Sequence, residues 1–160
     1  MGSSGVITEL QRNSNSWTKV VDEIAKMERE VFPKYESLVR EFDEESKKKN
    51  SGLLYIEKDG QVVGYVMYSW PSSLFASINN LAVKESDRRQ GHGEALLKGA
   101  IEKCRTRKVF RIYLSVDPTN TAAVNLYKKF GFQVDGLIHG YYSPGSHAYR
   151  MYCILNQTGC

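Results

Sequence analysis

Residues 84–94 read Lys-Glu-Ser-Asp-Arg-Arg-Gln-Gly-His-Gly-Glu, with Gly91 and Gly93 placed where a helical apolar period begins. A helix start leaves four backbone N–H groups without intrahelical partners and carries the positive end of the helix dipole. Glycines there let the backbone close on a ligand, and Arg88 and Arg89 add charge nearby, so the chemistry on offer is pyrophosphate binding. Neither common nucleotide signature is present. Gly93 is followed by Glu94 and Ala95 where a Walker loop needs Lys and then Ser or Thr, and no G-x-G-x-x-G occupies a first strand–helix turn. Without a ligand the same residues are simply a glycine-bearing helix start. A second constellation follows about thirty residues on: Asn120, Ala123, Leu126, Tyr127, Gly131 and Phe132 lie in the run Asn-Thr-Ala-Ala-Val-Asn-Leu-Tyr-Lys-Lys-Phe-Gly-Phe.

The elements that must hold these residues can be read from hydrophobic period. Val6–Leu10 alternates as a short edge strand. From Ser16, apolar Val20, Val21, Ile24, Met27 and Val31 recur at three- and four-residue steps, predicting a helix with one buried face that Pro33 ends. A more polar helix follows, with Leu38, Val39 and Phe42 inside and the charges Glu41 to Lys49 on a solvated face. The period then changes to that of strands at Leu53–Ile56 and Val62–Tyr68, joined by a turn whose Asp59-Gly60 supplies positive φ. Ser77–Val83 is a third strand leading into the glycine loop and a helix whose Ala95, Leu96, Leu97, Ala100, Ile101 and Cys104 share a face. Strand Val109–Val116, helix Thr121–Phe130 stopped by Gly131, and strands Phe132–Ile138 and Ala148–Leu155 complete the chain. Strands alternating with helices after an antiparallel hairpin predict a mixed α/β sheet in a single domain over residues 6–155, with 1–5 a flexible end or expression remnant and 156–160 a tail.

Composition narrows the partner. One domain is expected from 160 residues, 41% of them hydrophobic and 25% charged, and 22 Lys plus Arg against 18 Asp plus Glu give a net charge of +4. That excess suits one anionic ligand and falls short of a nucleic-acid footprint; Arg88-Arg89 and Lys47–Lys49 are separate clusters. Cys104, Cys153 and Cys160 form no C-x-x-C pair, and His92, His139 and His147 stand at no zinc spacing, so no metal is expected. No run has the ~18–20 apolar residues of a membrane span, and the start lacks a signal peptide, which predicts a cytoplasmic protein without a membrane partner.

With Leu81-Ala82-Val83 before Arg88-x-x-Gly91-x-Gly93, and Asn120-x-x-Ala123-x-x-Leu126-Tyr127-x-x-x-Gly131-Phe132 after, residues 53–155 resemble the acetyl-CoA-dependent N-acetyltransferases of the GNAT superfamily. The resemblance implies an α/β fold, a mostly antiparallel mixed sheet flanked by helices, in which two parallel strands splay apart to hold acetyl-CoA. It implies that Val83 and the amides of Arg88, Arg89, Gln90, Gly91, His92, Gly93 and Glu94 cradle the coenzyme's pyrophosphate, with Leu81 and Ala82 as further coenzyme-binding residues. Asn120 would contact its pantetheine side, Ala123 is implied as a further coenzyme-binding residue, and Tyr127 would sit near the thioester sulfur. A phenol of pKa near ~10 is protonated at neutral pH and can donate to a departing thiolate of pKa near ~8.5, which makes Tyr127 the catalytic acid.

Within the superfamily, Phe32-Pro33-Lys34-Tyr35 and Tyr141-Tyr142 resemble the peptide-entry residues of RimI-like and other protein N-terminal acetyltransferases, which implies Phe32, Pro33, Tyr35, Tyr141 and Tyr142 as substrate-binding residues. Such an enzyme acts on a protein or peptide N-terminus, with an auxiliary subunit or the ribosome as partner. One position departs: where relatives often carry a Glu or His base, this chain has Ser115. Deprotonation then passes through water held by Ser115, Asn79 or a backbone carbonyl, or through Asp117 if it points inward. An α-amine of pKa ~7.8 is roughly 15% neutral at pH 7 and a lysine of ~10.4 about 0.04%, a gap of about 3.5 kcal/mol that favours N-termini at a site with a weak base. Two alternatives remain open. One is acetylation of a small amine such as a polyamine or an amino acid, and the other is a non-catalytic coenzyme A binding module.

Overall fold

A computed structural model describes residues 6–11, 14–31, 50–143 and 145–155, with backbone alone for 29–31 and 142–143. The expected second helix, the Pro33 stop, the two chain ends and the proposed Phe32-Pro33-Tyr35 wall lie outside the described residues.

Strands β1 (Ile7–Glu9), β2 (Ser51–Lys58), β3 (Gln61–Ser69), β4 (Phe75–Val83), β5 (Arg111–Val116), β6 (Gln133–Ser143) and β7 (Ser146–Ile154) ladder in the order β1-β2-β3-β4-β5-β7-β6. This is the mixed, mostly antiparallel sheet of a single α/β domain, and its parallel pair is β4 with β5. Helices α1 (Trp17–Val31), α2 (His92–Thr106) and α3 (Thr121–Lys129) accompany it. Contacts gather into two compact units.

The first unit holds β1 to β3, α1, the Asn80–Val83 end of β4, and α2 as far as Ala100. The apolar stripe of α1 behaves as its spacing requires: Val20, Ile24 and Met27 are buried among Leu10, Leu53, Tyr55, Val62, Tyr65, Met67 and Ala82. Each fully buried side chain of this size contributes about 1.5–3 kcal/mol. The hairpin turn is the one foreseen, with Asp59 at φ 54° and Gly60 at φ 76° between the paired Lys58 and Gln61. Lys19 of α1 donates to the Gly60 carbonyl at 2.8 Å and fastens that turn to the helix. Helix α2 lies close to the strands because Gly64 has no side chain; a Cβ there would stand 3.2 Å from Leu96 Cδ1 and 3.3 Å from the Ala82 carbonyl.

The second unit holds Phe75–Asn79 of β4, the rest of α2, β5, α3, β6 and β7. Parallel pairing runs from Phe75 opposite Arg111 to Ile78 opposite Leu114, while β4 itself continues to Val83 and β5 to Val116. On β5 the alternation is regular: Ile112, Leu114 and Val116 are buried, and Arg111, Tyr113 and Ser115 take the other face. Strand β6 runs further than the apolar pattern indicated, to Ser143, because its ladder with β7 is built from backbone groups while most of its side chains are exposed. Cys104 is a free, buried thiol, and burial pushes its pKa up to about 12. Cys153 is in a disulfide, a pairing that the spacing of the cysteines did not suggest.

Candidate active site

In the first unit the glycine loop grows out of the end of β4. Ala82 is buried and Leu81 and Val83 are half-buried. The Lys84 N–H donates to the Val63 carbonyl at 2.8 Å. One 3-10 turn, Glu85–Asp87, then reverses the chain, and Arg88 leaves it extended at φ −75°, ψ 165°. Arg88 Nε donates back to the Val83 carbonyl at 3.1 Å, which pins the guanidinium against the strand it followed. Arg89 at φ 64° and Gly91 at φ 80° curl the chain into α2. Position 91 is therefore glycine for its backbone, since a Cβ there would meet nothing within 4 Å.

The Ala95 N–H donates to the Gly91 carbonyl at 3.0 Å and opens the helical ladder of α2. The amides of Gly91, His92, Gly93 and Glu94 precede it and have no intrahelical acceptor. The one buried acid of the segment is neutralised locally: Asp87 lies 3.6 Å from Lys58 Nζ and accepts from Ser86 Oγ at 3.2 Å. Arg88 and Arg89 are exposed, and among the described residues neither is paired with a carboxylate. His92 is only 4% exposed, and its Nε2 is buried without a hydrogen-bond partner. Amides without an intrahelical acceptor, two exposed guanidiniums with no carboxylate partner among the described residues, an open position at Gly91 and an orphaned imidazole nitrogen fit a diphosphate. The loop runs without interruption from Leu81 to Glu94, the segment that the resemblance assigns to the coenzyme.

In the second unit, Asn120 caps α3: its Oδ1 accepts from the Ala123 N–H at 3.2 Å. The side-chain oxygen is therefore committed to the helix, and the carboxamide N–H₂ is what a ligand could use. Asp117 Oδ1 accepts from the Thr119 N–H at 2.9 Å and from Thr119 Oγ1 at 2.8 Å, so this carboxylate is engaged by its own turn. Tyr127 is 6% exposed and meets Phe132 edge to face, with ring centroids 5.9 Å apart. Burial pushes its pKa up to about 12, so the phenol holds its proton more firmly than the sequence suggested. Ser115 pairs across the ladder with Arg150 of β7. Tyr141 on β6 is 51% exposed, while the Tyr142 side chain lies outside the described set. Among the described residues no three His, Cys, Asp or Glu gather as metal ligands, and no helix is long and apolar enough to cross a membrane.

One group escaped the sequence reading. Glu28 on α1 is 1% exposed, accepts from Asn80 Nδ2 at 3.0 Å through Oε1, and leaves Oε2 buried without a partner. Burial raises its pKa to about 7 against the opposing effect of the Asn80 hydrogen bond. The signal was present, because residue 28 is one turn beyond Ile24 on the buried stripe, where a carboxylate is out of place.

The family model described as the acetyltransferase (GNAT) family matches residues 17–132. The chain belongs to that family. This GNAT chain is 34% identical over 143 residues to an N-alpha-acetyltransferase of Sulfurisphaera tokodaii, a match covering 82% of this chain and 85% of the relative. It is 39% identical over 105 residues to a Bacillus subtilis protein provisionally named a ribosomal protein bS18-alanine N-acetyltransferase, covering 65% of this chain and 69% of that one. The crystal structure of Ard1 from Thermoplasma volcanium superposes with a TM-score of 0.77 at 28% identity, over 94% of this chain and 97% of that one. The resemblance first drawn from the glycine loop and the Asn120–Phe132 run is thereby shown, and the GNAT chain is an N-acetyltransferase. The non-catalytic reading is set aside.

Proposed function

We propose that this GNAT enzyme transfers the acetyl group of acetyl-CoA to the α-amino group of a protein or peptide. The observation that carries the coenzyme end is the helix start at Gly91, whose first-turn amides have no intrahelical acceptor, beside exposed Arg88 and Arg89, which meet no carboxylate among the described residues. These groups would hold the pyrophosphate, and the Asn120 carboxamide would donate to the pantetheine arm. When bound, acetyl-CoA supplies an activated acyl group whose departing sulfur carries developing negative charge.

Tyr127 meets that charge. With its pKa at about 12, complete proton transfer to a thiolate of pKa near ~8.5 would run uphill by roughly 5 kcal/mol. The phenol therefore serves as a hydrogen-bond donor that keeps its proton and stabilises the sulfur electrostatically. At the other end, Ser115 cannot accept a proton unaided at neutral pH, and Asp117 is tied to Thr119. The attacking amine must largely arrive neutral, which favours the α-amine over lysine. The name of the Sulfurisphaera relative supports the same choice.

The reading places the enzyme in the cytoplasm, acting on protein N-termini with an auxiliary subunit or the ribosome as partner. Cys153 is disulfide-bonded, and thiol labelling of the purified native protein tests whether that bond persists in solution. The functional test is acetyl-CoA turnover on peptides varied in their first two residues, with blocked N-termini and internal lysines as controls. Turnover confined to free N-termini is expected. Equal activity on blocked peptides, or activity on polyamines alone, refutes the reading.

A further inference from the structure

Arg111, Tyr113 and Ser115 share the face of β5 opposite buried Ile112, Leu114 and Val116. Antiparallel register sets Arg150 of β7 opposite Ser115 and Tyr152 opposite Tyr113, and directly opposed residues project to the same side of a sheet. The guanidinium carbon of Arg150 stands 4.5 Å from the Tyr113 ring centroid. Arg111 Nη1 donates to Tyr113 Oη at 3.4 Å, and its guanidinium carbon is 5.4 Å from the Tyr152 ring. Phe75 abuts Tyr113 edge to face at 5.8 Å, bracing the ring that both arginines use.

Two weakly hydrated guanidiniums are thus held against aromatic rings, Arg150 opposite Ser115 and Arg111 further along β5. Among the described residues neither meets a carboxylate. Much of the ordering cost of a charge-assisted contact is already met in such an arrangement, and its natural complement is a carboxylate. A nucleic acid fits less well, because Tyr113 is flanked by Phe75, Tyr152 and Arg150 and offers no open face for a base.

Resting on the reading that an α-amine is acetylated beside Ser115, we propose that Arg150, supported by Arg111 on Tyr113, selects an acidic side chain at the second residue of the peptide substrate. Opposed residues of an antiparallel pair have Cα atoms about 4.5–5.5 Å apart. Consecutive residues of the peptide are spaced about 3.8 Å. A carboxylate one residue from the reacting amine is therefore within reach of the Arg150 fork.

The test compares kcat/KM at saturating acetyl-CoA for three peptides that differ only in Glu, Gln or Lys at the second residue. The Glu peptide is expected to exceed the Gln peptide by about tenfold, with Lys below both and the gap narrowing at high salt. In Arg150→Gln the Glu-to-Gln ratio falls to about one, and in Arg150→Lys part of it returns; a purely structural role would lower all three peptides alike. A ratio near one in the wild-type enzyme, or an unchanged ratio in Arg150→Gln, overturns the proposal even if a variant folds poorly, since the wild-type measurement stands alone. Arg150-dependent retention of a single-stranded RNA oligonucleotide without an acidic preference overturns it in favour of nucleic acid. Acetylation of a polyamine with no peptide turnover instead brings down the α-amine reading beneath it, a result distinct from peptide turnover that is indifferent to charge.

Discussion

The carboxamide of Asn80 donates to one oxygen of Glu28 at 3.0 Å and leaves the other oxygen of that carboxylate buried and unsatisfied. The fold therefore prefers this acid protonated, with its pKa raised from 4.5 to about 7. A raised acid contributes stability that is fully present below pH 4.5 and is lost as pH climbs through 7, in total roughly 3 kcal/mol for a shift of this size. Urea unfolding of wild type and Glu28→Gln between pH 4 and 8.5 should show the wild type losing stability relative to the variant as pH rises. Parallel curves would mean that Glu28 does not titrate in this window.

Glu28 also marks where the sequence ran out. The Asp59-Gly60 turn and the Gly91 helix start were legible because each depends on the backbone freedom of residues at the spot. Asn120 was legible as a motif residue, yet its capping bond to Ala123 depends on helix geometry that spacing only suggests. The Glu28–Asn80 pair joins residues 52 positions apart, and no local pattern in either segment names the other. The end of β6 was missed for a related reason: its exposed side chains carry no hydrophobic alternation, and only pairing with β7 defines it.

Replacing Tyr127 with Phe keeps the ring against Phe132 and removes the donor. Turnover is expected to fall by about 10²- to 10⁴-fold with little change in Tm. Because the phenol titrates at about 12, the wild-type rate should show no alkaline decline from this group below about pH 11. Undiminished turnover in the variant rules out Tyr127 as the donor.

Gly91→Ala places a Cβ in open space on a backbone at φ 80°. The cost is conformational, about 1 kcal/mol, and should appear both as a lower Tm and as a higher KM for acetyl-CoA. Calorimetric titration with coenzyme A separates the two effects. Lower stability with unaltered affinity would remove the loop from the coenzyme site.

Two substitutions at Asn120 distinguish its duties. Asn120→Ala loses the cap on α3 and should cost about 1 kcal/mol of stability. Asn120→Asp keeps an oxygen for the Ala123 N–H but has no N–H₂, so stability should hold while acetyl-CoA affinity drops. Equal affinity in Asn120→Asp and wild type would confine Asn120 to capping.

Strand β6 ends the ladder order, and Val134 and Leu137 stand exposed along it. A long terminal strand of this kind is a template on which another chain could polymerise. Its pairing with β7 is irregular between Val134 and Gly136 and again between Ile138 and Ser143. Such breaks twist a strand and interrupt the even comb of outward N–H and C=O groups, so an incoming strand cannot dock flush along its length. The irregular hairpin therefore guards the protein against growing into a fibre, and a substitution that straightened it would be felt first in solubility rather than in turnover.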